Sequence, residues 1–373
     1  MKLIPHLRGA AVGLLSSGAA VVLAAVAASL ILVATGASPI EAARAMVLNG
    51  LSDTSSAIIL NSAAAYYLSA VAVAFTFRLN LFNIGTEGQY RISALCAAAV
   101  GAGLSLPAPL GQVVIVAAAM IAGAAWAAVP ALLKTLKGVN EVISTIALNF
   151  IAIGLISYLL APGRLGSGSG SNMGTAPIPD GLRDPGIDIA AEGARLHWSS
   201  LLAVVAGIGF YLLIERTVFG FDLRAAGRSA DAARSGGVPM GRTIVIAMVL
   251  SGATAGLIGM PSLLGDSGSF SLSFPSGLGF IGIAVALFGG NRAAGMAIGA
   301  LLFSFLDNSS NVLQLMDVSN EVVRIMEGLI ILAVVITNRL TSRWRTGRAR
   351  PDRLKDVPAM SAAPAGANTG GGA

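Results

Sequence analysis

Apolar residues fall into ten stretches along the chain, roughly 10–35, 54–77, 90–106, 110–133, 140–161, 199–215, 243–262, 277–290, 293–314 and 322–340. A helix of about 20 residues crosses the hydrocarbon layer of a bilayer. In lipid only a helix or a closed barrel satisfies its backbone donors and acceptors internally, and runs this long predict helices. The pattern therefore predicts an all-α polytopic membrane protein with about ten transmembrane helices.

The charged positions orient these spans. Lys134 and Lys137 follow the fourth. Arg216, Arg224, Arg228, Arg234 and Arg242 follow the sixth, and Arg292 follows the eighth. The segment after the tenth carries Arg343, Arg345, Arg348, Arg350, Arg353 and Lys355. If the N-terminus is cytoplasmic, all of these lie on the cytoplasmic side, as the positive-inside rule requires. The opposite side is poor in cations: Asp266 is the only charge in 263–276, and Asp317 and Glu321 occupy 315–321. The longest external loop, 162–198, offsets Arg164, Arg183 and Arg195 with Asp180, Asp184, Asp188 and Glu192. Both termini are expected in the cytoplasm. The resulting plan has a cytoplasmic N-terminus at 1–9, a membrane domain at 10–340 with a cytoplasmic loop at 216–242, and a basic tail at 341–373. That tail turns Ala/Gly/Pro-rich from Pro358, a composition expected to be disordered. Gly163 to Pro185, rich in Gly, Ser and Pro, is expected to be an irregular external loop. Ala25-Val26-Ala27 imitates a signal-peptidase site, but the run from Gly9 to about Ala34 exceeds a signal h-region and is expected to remain as the first span.

Composition narrows the function. Of the 373 residues, 11% are charged and 55% hydrophobic, against about 25% charged in a typical soluble domain. Ten spans and their loops leave no room for a large soluble catalytic domain. The net charge of +6 is accounted for by membrane orientation, and with few aromatic residues the chain offers no stacking platform for nucleic acid. Cys96 is the single cysteine, so no intrachain disulfide forms. His6 and His197 are the two histidines and do not suggest a histidine-based metal site. No HExxH, GxSxG or GxxxxGK[ST] motif is present, which argues against an intramembrane hydrolase and against ATP binding by this chain.

Polar side chains inside apolar spans are costly and therefore mark candidate function. The segment Asn80-Leu-Phe-Asn-Ile-Gly-Thr-Glu-Gly-Gln89 supports a continuous helix poorly. Two readings stay open: a break lining a cavity, with Asn83 and Glu87 exposed to it, or a plain cytoplasmic turn flanked by Arg78 and Arg91. At the start of the fifth span, Glu141, Thr145 and Asn149 are spaced i, i+4, i+8 and share one helix face, with Asn140 and Ser144 beside it. Such a stripe lines a path or glues two helices; its carboxylate favours the path. Asp307, Asn311 and Gln314 share a face near the external end of the ninth span, where solvent alone would satisfy them. Arg324 and Glu327, three apart, are expected to pair as structural partners.

The loop after the sixth span contains a predicted short helix. Ser229 can cap its N-terminus with Asp231 in the first turn. Gly236 and Gly237 end it and Pro239 prevents its resumption. Its alanines would permit close approach of another protein, with Arg224, Arg228 and Arg234 around the contact; as a bare connector it would need none of this.

These residues resemble the permeases of bacterial ABC importers for nucleosides and simple sugars. Phe82-Asn-Ile-Gly-Thr-Glu-Gly-Gln89 and Gly138-Val-Asn-Glu-Val-Ile-Ser-Thr-Ile-Ala-Leu-Asn149 are similar to two of that family's signatures. Leu223-Arg-Ala-Ala-Gly through Ala232-Ala-Arg-Ser-Gly-Gly-Val238, continued by Ser251-Gly-Ala-Thr-Ala-Gly-Leu257, resembles its ATPase-coupling loop. Gly279-Phe-Ile-Gly-Ile-Ala-Val-Ala-Leu287 resembles the block that opens the penultimate hairpin. The resemblance runs from about residue 50 to 340, in order. It departs at Ser235-Gly236, where an aromatic and a small residue are expected, and at Ile281, often polar in relatives.

The resemblance implies a transport subunit without cofactor or chemistry of its own, in a bacterial inner membrane. ATP and Mg would reside on a separate ABC ATPase, of the double-cassette kind. A second, different permease chain and an extracytoplasmic substrate-binding lipoprotein would complete the system. Substrate would pass Asn83, Glu87, Asn140, Glu141, Thr145 and Asn149. Arg224, Gly227, Arg228, Asp231, Ala233 and Gly236 would couple to the ATPase. An ion-coupled secondary transporter for a small polar solute is the alternative; it would need carboxylates in the middle of several spans.

Overall fold

The computed structural model describes residues 26, 28–168, 173–188 and 195–316, then 318–319, 321–326, 328–329 and 332–333. The first expected span lies mostly outside these residues, as do most of the tenth, the tail and Glu327.

Helix α1 (Ala28–Ala34) turns by 115° into α2 (Pro39–Gly50), an element the apolar pattern does not single out. Ser38 caps α2 by accepting from Glu41 N, and Pro39 occupies its first turn, where a missing N–H costs nothing. Helix α3 (Asp53–Phe77) follows, capped by Ser52. It is the most enclosed of the long helices and the centre of the molecule, packed by α7, α10, α11 and α12. Then come α4 (Thr86–Ala102) and α5 (Ala108–Lys137). Gly138, at φ 69°, ends α5 in the left-handed conformation, and Asn140 then caps α6 (Glu141–Leu159). This tight hairpin is clasped by Lys134 and Glu141 at 2.6 Å.

The external loop is more ordered than its composition predicts. Two short antiparallel ladders form, β1 (Gly166–Ser167) with β2 (Gly174–Thr175) and β3 (Ile187–Asp188) with β4 (Arg195–Leu196). The loop lies against residues 264–270: Thr175 N donates to Phe270 O (2.8 Å), Ile178 N to Gly268 O (2.7 Å) and Asp184 N to Leu264 O (2.8 Å). Buried Asp184 accepts from Gly186 N and Ser199 N, steering the chain into the next helix.

Helix α7 (Leu201–Arg216) leads to α8 (Val218–Arg228) and α9 (Ala230–Ser235), and then to α10 (Met240–Gly256). A π-helical turn, Pro261–Ser267, extends α10 outward. The chain returns through 268–277 to α11 (Leu278–Phe288) and closes with α12 (Ala293–Gln314). Helices α5 and α10 touch backbone to backbone at Gly123 and Gly252, where a Cβ on either would meet the other's carbonyl. Small residues of this kind allow close helix contact in lipid, where dispersion and packing drive association. A second, smaller core joins Leu32, Ala42 and Met46 to Leu306, Leu313, Val323 and Met326.

Six helical stretches among the described residues are long and apolar enough to cross a membrane, or seven if the bent α1–α2 pair is one crossing. The expected ten are therefore not all present as full-length spans. The third and eighth expected spans are short for a physical reason. Helix α4 has 17 residues and α11 has 11, about 25 Å and about 16 Å at 1.5 Å per residue. The third also starts at Thr86 and ends at Ala102, four residues earlier at each end than the apolar run suggests.

Candidate functional site at the Glu87 junction

Helices α4 and α11 start where they do because their N-termini meet inside the protein at Glu87. Gly282 of α11 packs on Ser69 of α3, about 13 Å from the Arg78 end of that helix. The junction therefore lies about a third of the way along α3 from its Arg78 end. Residues 78–85 run back from the Arg78 end of α3 to reach it without helical structure beyond turns.

Such a break exposes backbone groups that must be satisfied. Glu87, 6% exposed, accepts from Gly277 N and Gly279 N, both at 2.9 Å. Its carboxylate thus caps α11 while sitting in the first turn of α4. The positive ends of two helix dipoles converge on one negative charge, the favourable arrangement. The contact requires glycine at 279, because a Cβ there would strike the Glu87 backbone. Gly277 adopts φ 86°, a conformation natural to glycine.

The N-terminus of α4 has no side-chain cap of its own at Gly85. Asn149 supplies one from α6: its Oδ1 accepts from Gly88 N (2.9 Å) and its Nδ2 donates to Ile84 O (2.9 Å). Asn83 Oδ1 accepts from Gly85 N and Gln89 Nε2, and Asn83 Nδ2 donates to Gln89 Oε1 and to Ser251 Oγ of α10. Thr86 Oγ1 donates to Asn83 O. Three elements, α4, α6 and α10, are laced together at the break.

The stripe on α6 faces this break: Glu141, Thr145 and Asn149 are all buried. Thr145 Oγ1 donates to Glu141 O, Asn140 caps the helix, and Glu141 pairs with Lys134. The structure thus brings Asn83, Glu87, Thr145 and Asn149 together, while Asn140 and Glu141 lie at the hairpin end of the same face. Periodicity placed the stripe on one face; it could not supply the partners.

The loop after α7 forms the capped helix that its sequence predicts. Ser229 Oγ accepts from Ala232 N (3.3 Å), Asp231 lies in the first turn, Gly236 is the C-cap and Gly237 has φ 85°. One feature differs. Ala233 is 5% exposed and packs into the chain's own core, so the outward surface is made by Arg228, Asp231, Ala232, Arg234 and Gly236. Arg224 turns inward, bonding Ile214 O and the carboxylate of Glu215.

The preceding helix, α8, is tied to the segment that leads to the junction. Gly227 touches Arg78 O so closely that a Cβ could not be placed. Asn80, at φ 55°, donates to Gly227 O at 2.6 Å. Arg78 Nη2 donates to Asn291 O, in the turn joining α11 to α12, at 2.7 Å. Burial lowers the pKa of the Arg78 guanidinium, opposed by Glu215; arginine remains a cation regardless. The loop after α7 therefore grips the segment leading into α4, and Arg78 of that segment reaches the far end of α11.

The residues that pattern reading undervalued lie on the other side of the junction. Asp307 accepts from Tyr66 OH at 2.8 Å, so solvent is not its sole partner. Asn61, His197 and Asp266 converge on the same cavity. These come from four separate parts of the chain, and no spacing rule links them. Among the described residues no cluster of His, Cys, Asp or Glu could hold a metal ion.

Apolar helices long enough to cross a membrane, laced together at a break by buried polar side chains, make a multi-pass membrane protein. Residues 55–335 match the family described as the branched-chain amino acid transport system / permease component, and the chain belongs to it. It is 34% identical over 331 residues to the glucose ABC transporter permease protein TsgB13 of Haloferax volcanii, covering 86% of each chain. It is 35% identical over 276 residues to the guanosine ABC transporter permease protein NupP of Bacillus subtilis, covering 72% of this chain and 77% of that one. The nucleoside ABC transporter permease protein NupB of Lactococcus lactis is 28% identical over 284 residues, covering 72% and 76%. No solved structure matches. The chain is an ABC importer permease, a transport subunit and not an enzyme; the ion-coupled alternative gains no support from these relatives.

Proposed function

We propose that this permease carries nucleosides or simple sugars inward across a bacterial inner membrane, in ten passages that count α4 and α11 as parts of broken spans, with both termini cytoplasmic. ATP and Mg bind a partner ATPase of the double-cassette kind. A second, different permease chain lies beside this one; Bacillus subtilis NupP has such a counterpart in the guanosine ABC transporter permease protein NupQ, itself 26% identical to this chain. A substrate-binding lipoprotein delivers solute to the external loops.

The observation that carries this reading is the set of contacts from α8 through Arg78 and Asn80 toward the junction. Closure of the ATPase moves α8–α9; Gly227 and Asn80 pass the movement to 78–85, and Arg78 passes it to α11. Glu87 is where both arms end. Rigid-body rocking of packed elements is the usual form of such a transition. Asn83, Glu87, Asn140, Glu141, Thr145 and Asn149 border the route. Their present partners are backbone and neighbouring side chains, so a passing solute exchanges hydrogen bonds with groups that already have alternatives. That suits release, since a carrier that binds too well retains its cargo.

Radiolabelled uptake tests the substrate class. Cells holding the complete system are expected to accumulate guanosine or glucose, and to lose that uptake when this chain is deleted. Unchanged accumulation of every nucleoside and sugar after deletion contradicts the reading.

A further inference from the structure

A cavity of about 760 Å³ opens beside the external loop, within the range of about 300–1,000 Å³ found for small-molecule sites. Its polar lining comes from α3 (Asn61, Tyr66), β4 and the residue after it (Arg195, His197), the π-helical turn (Asp266) and α12 (Asp307). We propose that this cavity is the chamber in which the permease receives solute, and that it selects neutral, hydroxyl-bearing molecules over their phosphorylated forms. The proposal rests on the substrate class given above and extends it to a site and a selectivity.

The lining is positioned by hydrogen bonds. Asn61 Nδ2 donates to Arg195 O (2.8 Å), and its Oδ1 accepts from His197 N (3.1 Å) and Ser200 Oγ (3.0 Å). That pins the external loop to α3 and fixes the rim. Tyr66 OH bonds one oxygen of Asp307. Asp266 lies 3.7 Å from His197 Nε2, and its side chain is 68% exposed. Carboxylate oxygens are acceptors with several lone-pair sites, and hydroxyl donors bond them strongly. A sugar ring or a ribose brings such donors.

The charge balance disfavours anions. Two carboxylates, Asp266 and Asp307, line the cavity against one guanidinium, Arg195, whose charge Asp188 already offsets through Nε at 2.9 Å. A phosphate entering here meets a surplus of negative charge and is repelled.

The floor links the chamber to the junction. Pro275 and Leu278 form it. Pro275 O accepts from Tyr90 OH (2.6 Å) and Leu278 O from Ser69 Oγ (2.8 Å). The same N-terminal turn of α11 is held from its other side by Glu87. Release of that carboxylate frees the floor, so a solute waits in the chamber until the ATPase acts.

Cysteine accessibility in the complete transporter tests this. In a Cys96→Ala background, Ser62→Cys or Ser262→Cys places a thiol in the cavity lining. An impermeant methanethiosulfonate added outside is expected to label either. Guanosine or glucose, whichever the unmodified transporter accumulates, slows the labelling; guanosine monophosphate and glucose 6-phosphate do not. Asp307→Asn is expected to weaken protection by about tenfold, corresponding to about 1.4 kcal/mol. Accumulation with no labelling at either position, or with labelling that no solute slows, overturns the chamber. Equal protection by the phosphates overturns its selectivity. Failure of the unmodified transporter to accumulate any nucleoside or sugar contradicts the substrate class itself, a result read without any cysteine.

Discussion

Glu87 replaces what water would do at two helix ends. Both its oxygens accept backbone N–H groups, and a glutamine there would turn an amide donor toward one of them. Glu87→Gln is expected to lower the unfolding midpoint in detergent, by the roughly 1–3 kcal/mol that a buried unsatisfied donor costs, and to impair transport. An unchanged midpoint would show that the carboxylate is dispensable. Asn149→Leu strips partners from Gly88 N and Ile84 O, a loss of similar size. Uptake should fall while the ATPase still co-purifies; normal uptake would remove α6 from the route. The sequence reveals that Asn149 is out of place in an apolar stretch and that Glu87 sits in a segment ill suited to a continuous helix, and its periodicity sets Asn149 on a face with Thr145. It cannot reveal what they bond, because the partners lie 61 residues from Asn149 and 190 from Glu87.

At the scale of elements, local caps were legible and remote ones were not. Ser229 bonds an amide three residues away, so a short motif is enough to predict the helix it begins; Asn140 bonds one two residues away, a cap that the polar stripe beside it conceals. Thr86 opens α4 with no local cap; hydropathy alone therefore sets its start too late. The same reasoning separates two kinds of mutation in the loop after α7. Ala232 faces outward, so Ala232→Trp should block ATPase docking, seen as loss of co-purification from intact, inserted permease. Gly227 faces inward on Arg78 O. Gly227→Ala should leave the ATPase bound and hydrolysing while uptake drops. If docking were lost in the second and kept in the first, the faces would be assigned the wrong way round. Ala233 is a poor probe of docking because a larger side chain there first disturbs this chain's own packing.

At the scale of the molecule, apolar runs and loop charges suffice to identify a multi-pass membrane protein, because lipid constrains the backbone so strongly. They set full-length crossings at 90–106 and 277–290, where the described residues hold the shorter helices α4 and α11. They also miss α2, a helix whose short length and charged residues, Glu41 and Arg44, leave no spanning signal. The account as a whole holds that this chain is a passage whose opening is driven through α8–α9 by a separate ATPase. Reconstitution tests it most directly. Proteoliposomes containing this chain with its partner permease, ATPase and binding protein are expected to accumulate guanosine or glucose only when ATP is present on the ATPase side. Vesicles holding this chain alone should accumulate neither under any proton or sodium gradient. Gradient-driven accumulation by the lone chain, without ATP, would contradict the account.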